Sequence, residues 1–235
     1  MGIFIYGDNK NIKGLEYNKK LFNKVKFKRE YKSNEEIEEL YLKNKKIILN
    51  IEGQELFIKI IKVPKVKKKY LRDVIQNEVL IRYGEDIIYN YDVLEEKTNC
   101  FKIVLYCAHE SSIRSLQINT VKNGNLIKID FTQNNIINYY SKMILKETYM
   151  LIIQYRDYIY FLKVYKNKLI FNKVIQTKKY NENHIEMEID NFLDCNIKYK
   201  NIYYSNLENF KEKLKELNAT QLLNIDMNTF LKYII

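Results

Sequence analysis

The chain has 235 residues, 46% hydrophobic and 29% charged, with only six glycines and one proline. Such values fit a folded chain of continuous helices and strands and exclude a loop-rich or disordered one. The net charge of +11 and pI near 9.2 would by themselves point to a polyanion. Lys, Asn, Ile and Tyr are heavy throughout and the basic residues are interleaved with acidic ones, so no nucleic-acid partner is expected.

The chain opens as a β-hairpin: a strand over residues 2–6, a turn over 8–11 and a strand over 12–17. Residues 25–31 alternate as a third strand. Ser33 and Glu36 have capping-box spacing and start a helix that presents Ile37, Leu40 and Tyr41. Strands follow over 46–51 and 55–63, joined across Gly53. After Pro64, apolar Tyr70, Leu71, Val74, Ile75 and Val79 recur at helical spacing over residues 67–82. A Tyr83-Gly84 turn leads to a strand ending Tyr91-Asp92-Val93-Leu94. A strand over 99–108, a helix over 111–123 stopped by Gly124, a strand over 126–131 and a helix over 133–145 come next. The second region is β-rich: strands over 149–155, 158–165 and 168–176 with turns at 156–157 and 166–167. A helix over 183–194, a strand over 201–204, a helix over 207–217, a strand over 221–225 and a short terminal helix complete it. A β-meander followed by alternating α and β occurs twice, which predicts two related α/β lobes.

The sequence holds little recognisable chemistry. Cys100, Cys107 and Cys195 are odd in number and widely spaced, which argues against a disulfide framework and a zinc site and fits a reducing compartment. His109 and His184 lack partners at a recognisable spacing and read as structural or solvent-facing. No phosphate-loop, dinucleotide or metalloprotease motif is present. The acidic groups Asp92, Glu95 and Glu96, and Glu186 with Glu188, read as solvated surface. The tyrosines sit at strand and helix spacing and read as core. The run Lys65 to Lys69 reads as a solvated helix entry. The apolar stretch at residues 1–6 is too short for a secretory signal, and no apolar run approaches the length of a membrane span, so a cytosolic chain is expected.

The order of elements around Pro64 carries a resemblance. Pro64, then Leu71, Ile75 and Glu78 on a helix, then Tyr83-Gly84, then Tyr91-Asp92-Val93-Leu94 resembles the inserted subdomain of the PilM family, the actin-like cytoplasmic proteins of type IV pilus assembly. More loosely it resembles the cytoplasmic part of GspL of type II secretion. A strand ending at Ala108, a helix ending near Gly124 and a strand ending in Asp130 continue the pattern. The resemblance covers nearly the whole chain in element order, and residues 46–130 in identity. It implies an α/β, actin-like (ribonuclease H-like) two-lobe fold with an inserted subdomain and a reduced second lobe. The expected division is residues 1–62 and 125–147 for the first lobe, 63–124 for the insertion and 148–235 for the second lobe.

Actin-like ATPases hold nucleotide through three glycine-dependent places, and this sequence departs from each. Ile5 stands where a metal-shell Asp belongs on the opening hairpin, although Gly7 and Lys13 fit and Asp8 lies nearby. The second loop reads Gln154-Tyr155-Arg156-Asp157, without Gly and without an acidic residue before the turn. The place of a Gly-Gly pair reads Ser205-Asn206-Leu207. The resemblance with these departures implies a non-enzymatic scaffold without cofactor, catalytic or metal residues. It would bind the cytoplasmic N-terminal tail of a PilN-like membrane protein, and communicate with motor ATPases, at the cytoplasmic face of the inner membrane. An active ATP-binding protein using Asp8 and a basic nucleic-acid-binding protein are the alternatives.

Overall fold

The computed structural model describes residues 2–7, 12–19, 25–32, 36–37, 46–53, 56–109, 125–194, 201–225, 230, 231 and 234. The expectations for the turn over 8–11, for Ser33, Leu40 and Tyr41, for the helix over 111–123 with Gly124, and for Cys195 fall outside these residues. The chain divides into two compact units, Met1–Thr132 with Ile235, and Gln133–Ile234.

The first unit holds two sheets. In the five-stranded one, β1 (Gly2–Gly7) is central, antiparallel to β2 (Ile12–Lys19) and parallel to β4 (Lys46–Ile51). β3 (Val25–Tyr31) pairs outside β2 and β8 (Asn125–Phe131) pairs parallel outside β4, giving the order β3-β2-β1-β4-β8. All six residues of β1 are buried, as its unbroken apolar run requires of a strand covered on both faces. Gly2 is fixed by packing, because a Cβ there would lie 2.5 Å from the ring of Tyr17. The Glu36 carboxylate accepts the N–H of Lys32 at 2.6 Å, one residue earlier than the predicted capping box.

The second sheet has the order β5-β7-β6, from β5 (Phe57–Pro64), β6 (Ile87–Glu96) and β7 (Cys100–His109), all antiparallel. The expected neighbours 46–51 and 55–63 therefore belong to different sheets, and the expected boundary between 62 and 63 falls inside β5. Helix α1 (Lys68–Tyr83) packs Leu71, Ile75 and Val79 on Ile61, Val63, Phe101, Ile103 and Leu105. Tyr70 is 49% exposed and does not join the buried stripe; the Lys69 ammonium sits over its ring. Gly84, at φ 83°, ends the helix by donating to the Leu80 carbonyl at 3.0 Å. The strand after it is longer than the motif suggested, and a register shift between Val93 and Glu95 accompanies the burial of Leu94.

The second unit repeats the first sheet's plan. Strands β9 (Tyr149–Tyr155), β10 (Tyr158–Tyr165) and β11 (Lys168–Gln176) form an antiparallel meander. β12 (Ile202–Ser205) runs parallel to β9 and β13 (Thr220–Gln221) parallel to β12, in the order β11-β10-β9-β12-β13. Lys166 and Asn167 both have positive φ, as a two-residue type I′ turn demands. Helix α2 (Thr132–Tyr140) follows β8 and ends earlier than expected, and helix α3 (Glu182–Asp194) is entered through Asn181, whose side chain accepts the His184 N–H at 2.9 Å. Ile185, Ile189 and Phe192 of α3 share a core with Met150, Ile152, Ile159 and Phe161. The expected helix over 207–217 divides into a 3-10 turn and α4 (Lys211–Glu216), and the last strand is Thr220–Gln221, which keeps only Gln221 of the expected 221–225. Tyr106, Tyr140, Tyr149, Tyr160 and Tyr204 are among the largest fully buried side chains, the core use read for tyrosine.

Candidate functional site

The first of the three places lies in the first unit. Ile5 is 0% exposed in the middle of β1, between Gly14 on β2 and Leu49 on β4. The Gly7 carbonyl accepts the Glu52 N–H at 2.8 Å. Lys13 is exposed opposite Tyr6, and Asp8 lies outside the described residues. Open α/β sheets bind ligands beyond the carboxyl ends of their parallel strands. Here that end carries buried Asn50, Glu52, Asp130 and Thr132. Asn50 Nδ2 donates to Thr132 Oγ1 at 2.9 Å, and that hydroxyl donates to the Ile51 carbonyl at 3.0 Å. Asp130 is in register with Asn50 and its carboxylate pairs with Lys128 Nζ. Asn50 and Thr132 are thus tied to each other and to backbone. Sequence reasoning named Asp130 only as a strand end and passed over Asn50, Glu52 and Thr132, although the polar Asn50 inside the apolar strand Lys46–Ile51 was the available sign.

The other two places lie on adjacent strands of the second unit, with Ile153 of β9 in register with Ser205 of β12. Beyond Ile153, Tyr155 is buried edge-on against Phe230, ring centroids 5.0 Å apart, and the Arg156 guanidinium sits over its ring. Arg156 takes φ 55°, a conformation that favours glycine. The Asp157 carboxylate meets Lys178 Nζ at 3.0 Å, and its carbonyl accepts from the Thr177 N–H and hydroxyl.

At the third place Asn206 has φ 56°, so the bend that a glycine would make is made by a residue with a side chain. Ser205 is fully buried; its hydroxyl lies 2.7 Å from that of Tyr140, and the two hydroxyls reach the Leu223 carbonyl at 3.0 and 2.8 Å. The Asn206 N–H donates to Asn224 Oδ1 at 3.1 Å. Leu207 and Phe210 turn inward into the α3 core. The chain's own residues 223–224 thus take the donors around Ser205 and Asn206.

Two readings of isolated side chains are corrected. His184 has partners: it stacks on Tyr180 with centroids 4.3 Å apart, and its Nε2 is 3.6 Å from Glu188. Glu188 is not a solvated carboxylate, for it is buried beside Ile185 and Ile189 and accepts from Lys173 Nζ. Four residues before Phe192, it falls on the apolar stripe of α3, which was legible. Asp92 accepts the buried Tyr106 hydroxyl at 3.0 Å, and Glu96 pairs with Lys65 at 3.1 Å. Burial pushes the Cys107 thiol up to about 11 and raises the hydroxyls of Tyr140 and Tyr149 well above the usual tyrosine range. Among the described residues no group of three or more His, Cys, Asp or Glu could hold a metal ion, and no helix is long and apolar enough to cross a membrane.

No protein-family model matches the chain, and no curated protein is similar to it in sequence. Solved structures are similar in fold. One is a chain of the PilM-PilN type IV pilus biogenesis complex, at TM-score 0.58 and 9% identity over 97% of this chain and 91% of that one. Another is a Bacteroides thetaiotaomicron protein with an actin-like ATPase fold and unknown function, at TM-score 0.53 and 11% identity over 98% and 95%. The cytoplasmic domain of EpsL, an inner membrane component of the type II secretion system of Vibrio cholerae, gives TM-score 0.44 at 9% identity over 96% and 85%. With its two five-stranded sheets in one strand order and a three-stranded sheet inserted between β4 and β8, the chain has the actin-like fold that the PilM-like resemblance implied.

Proposed function

We propose that the chain is a non-enzymatic adaptor of a type IV pilus or type II secretion assembly, with a degenerate nucleotide site. The observation that supports this best is the third place. There, nucleotide binding in this fold calls for bare backbone, and here the Leu223 carbonyl and the Asn224 side chain engage Ser205, Tyr140 and the Asn206 N–H. The burial of Ile5 in β1 and of Tyr155 against Phe230 supports the same reading. An apolar strand centre offers no oxygen to a metal-water shell. In this reading the partner is the cytoplasmic N-terminal tail of a PilN-like membrane protein, and the chain works at the cytoplasmic face of the membrane in communication with a motor ATPase, as the PilM-like resemblance implies; the likeness in fold to a chain of a PilM-PilN type IV pilus biogenesis complex supports it. We divide it into a first lobe over residues 1–56 and 125–132, an insertion over 57–124 and a second lobe from 133.

The test has two arms on the full chain. In calorimetry with ATP and magnesium no heat of binding is expected, and micromolar binding would reinstate the ATP-binding alternative. A PilN-like tail peptide is expected to bind with a defined stoichiometry. Failure of every inner-membrane tail offered to a folded chain sinks the adaptor reading.

A further inference from the structure

We propose that the outer edge of β5 is a docking edge for an acidic, extended segment of a partner protein, which adds to the three-stranded sheet as a fourth strand. Three observations meet there. First, β5 is an edge strand, paired only with β7 among the described residues. Among the described residues no strand or side chain hydrogen-bonds to its other side. On the opposite edge, by contrast, the Tyr91 N–H is taken by Asn90 Oδ1 at 2.8 Å.

Second, from Phe57 to Arg72 the chain carries basic residues at 59, 62, 65, 67–69 and 72 and no acidic residue, and every one of them is exposed. Of these, Lys65 has an acidic partner, Glu96. The β7 residue facing Lys62 is another lysine, Lys102, whose neighbour on the far side is Glu95 of β6, so Lys62 at the edge has no acid beside it on β7. Helix α1 continues the patch with Lys68 and Lys69 and has no acidic residue in its first turn.

Third, Phe57 and Ile60 are 52% and 47% exposed on the same strand. Lysines alone are a common device for keeping an edge from pairing. Phe57 meets the Tyr83 ring edge-on at 6.0 Å and lies under the Lys59 ammonium, while Ile60 stays nearly half exposed, which lysine protection alone gives no reason for.

The period of a strand then specifies the occupant. Phe57 and Lys59 project to one face of the sheet, and Ile60 and Lys62 to the other. A strand added beside β5 sets its own side chains opposite these on the same faces. It therefore needs an apolar residue beside Phe57, an acid beside Lys59, an apolar residue beside Ile60 and an acid beside Lys62. Read along the segment, that is an acid at every third position, each separated by an apolar and a free position. A free row of donors and acceptors serves a peptide backbone and offers nothing in register to a bilayer or a nucleic acid. The inference does not rest on the proposed function, which assigns no residues to its partner surface.

The probe is a short labelled peptide with the core Val-Thr-Glu-Val-Thr-Glu, offered in both chain directions, read by fluorescence anisotropy on the full chain at low salt. Binding is expected in one direction, with slowed hydrogen exchange at β5 amides. It should weaken about tenfold in the Lys59→Glu, Lys62→Glu double variant. N-methylation of alternate peptide residues, which leaves the protein untouched, should abolish it. Absence of binding overturns the proposal. So does binding that survives N-methylation, or that a scrambled peptide of equal charge reproduces, since charge alone then explains it. Phosphatidylglycerol vesicles or single-stranded DNA binding where the peptide does not assign the patch to another ligand and equally overturn it.

Discussion

If the first place is a closed strand and not a nucleotide loop, as proposed, an acid placed there should break the fold and confer no nucleotide binding. The perturbation is Ile5→Asp. Ile5 is 0% exposed and flanked by β2 and β4. Losing a fully buried isoleucine removes ~1.5–3 kcal/mol of transfer energy. A carboxylate confined there has its charged form penalised by desolvation, which for a buried group raises the pKa by about three units and adds ~4 kcal/mol of cost at neutral pH. The sum is a large part of the ~5–15 kcal/mol that holds a domain together. The sign with pH follows from linkage. A carboxyl whose folded pKa is raised does no electrostatic harm below its unfolded value near ~4 and costs progressively more as pH rises toward the folded pKa. Urea titrations followed by circular dichroism at pH 4 and pH 7 should therefore show a deficit that grows with pH. Ile5→Asn, which cannot ionise, should show a deficit that does not. Magnesium and ATP should leave both midpoints unmoved. A small, pH-independent deficit, or a midpoint raised by magnesium and ATP, would refute the reasoning and make Ile5 the occupant of a working cleft.

Four further outcomes follow from the same structure. Ile75→Ala, at a fully buried position of α1, should cost ~2–5 kcal/mol in urea unfolding, while Tyr70→Ala, outside the stripe, should cost less than ~1 kcal/mol. Gly84→Ala should cost ~1–2 kcal/mol purely through its φ of 83°, since nothing lies within 4 Å of an added Cβ; equal stability by thermal melting would contradict it. Gly2→Ala should cost ~1–3 kcal/mol for the opposite reason, because the new methyl meets the Tyr17 ring. Burial raises the Cys107 thiol from 9.0 to about 11, so its contribution is intact below pH 9 and is lost as pH rises through that window. The loss amounts to about 3 kcal/mol, and Cys107→Val should flatten the fall in unfolding free energy from urea titrations between pH 8 and pH 11 by about that much.

The two lobes were legible because each rests on strands whose patterns are hard to mistake. The second meander runs 149–155, 158–165 and 168–176 with turns set by short polar pairs, and the structure keeps those bounds. The α1 stripe was legible for a similar reason, at Leu71, Ile75 and Val79. Pairing was less legible, because periodicity reports which face a residue uses and not which neighbour its strand chooses. Strands 46–51 and 57–64 are consecutive and apolar, yet one pairs with β1 and β8 and the other with β7. Nothing local distinguishes a hairpin from a change of sheet when the connection between them is not a tight turn. Helix ends suffered from competition: α2 has apolar residues beyond Tyr140, but its regular helix gives way to a turn there, with Ile144 still bonded to the Tyr140 carbonyl.

The departures at the candidate site were legible as missing residues, and what fills each place was not. A sequence shows that Ser205-Asn206 is not Gly-Gly. It cannot show that Leu223, eighteen residues on, brings its carbonyl to the Ser205 hydroxyl, or that Tyr140 comes from the other direction to share it. That difference bears on function. A loop that had only lost its glycines would leave unpaired amides and room beside them, a site weakened but repairable by substitution. At Asn206 the bend survives, the amide is taken by Asn224 and the neighbouring hydroxyls by Leu223, so the backbone groups that a nucleotide would need already have partners. Reinstating glycine at 205 and 206 would remove the Ser205 hydroxyl and free the bend, and it would still leave the Leu223 carbonyl held by Tyr140. Under the proposed reading, nucleotide binding at this place would require the 223–224 segment to move, a larger change than any single loop substitution supplies.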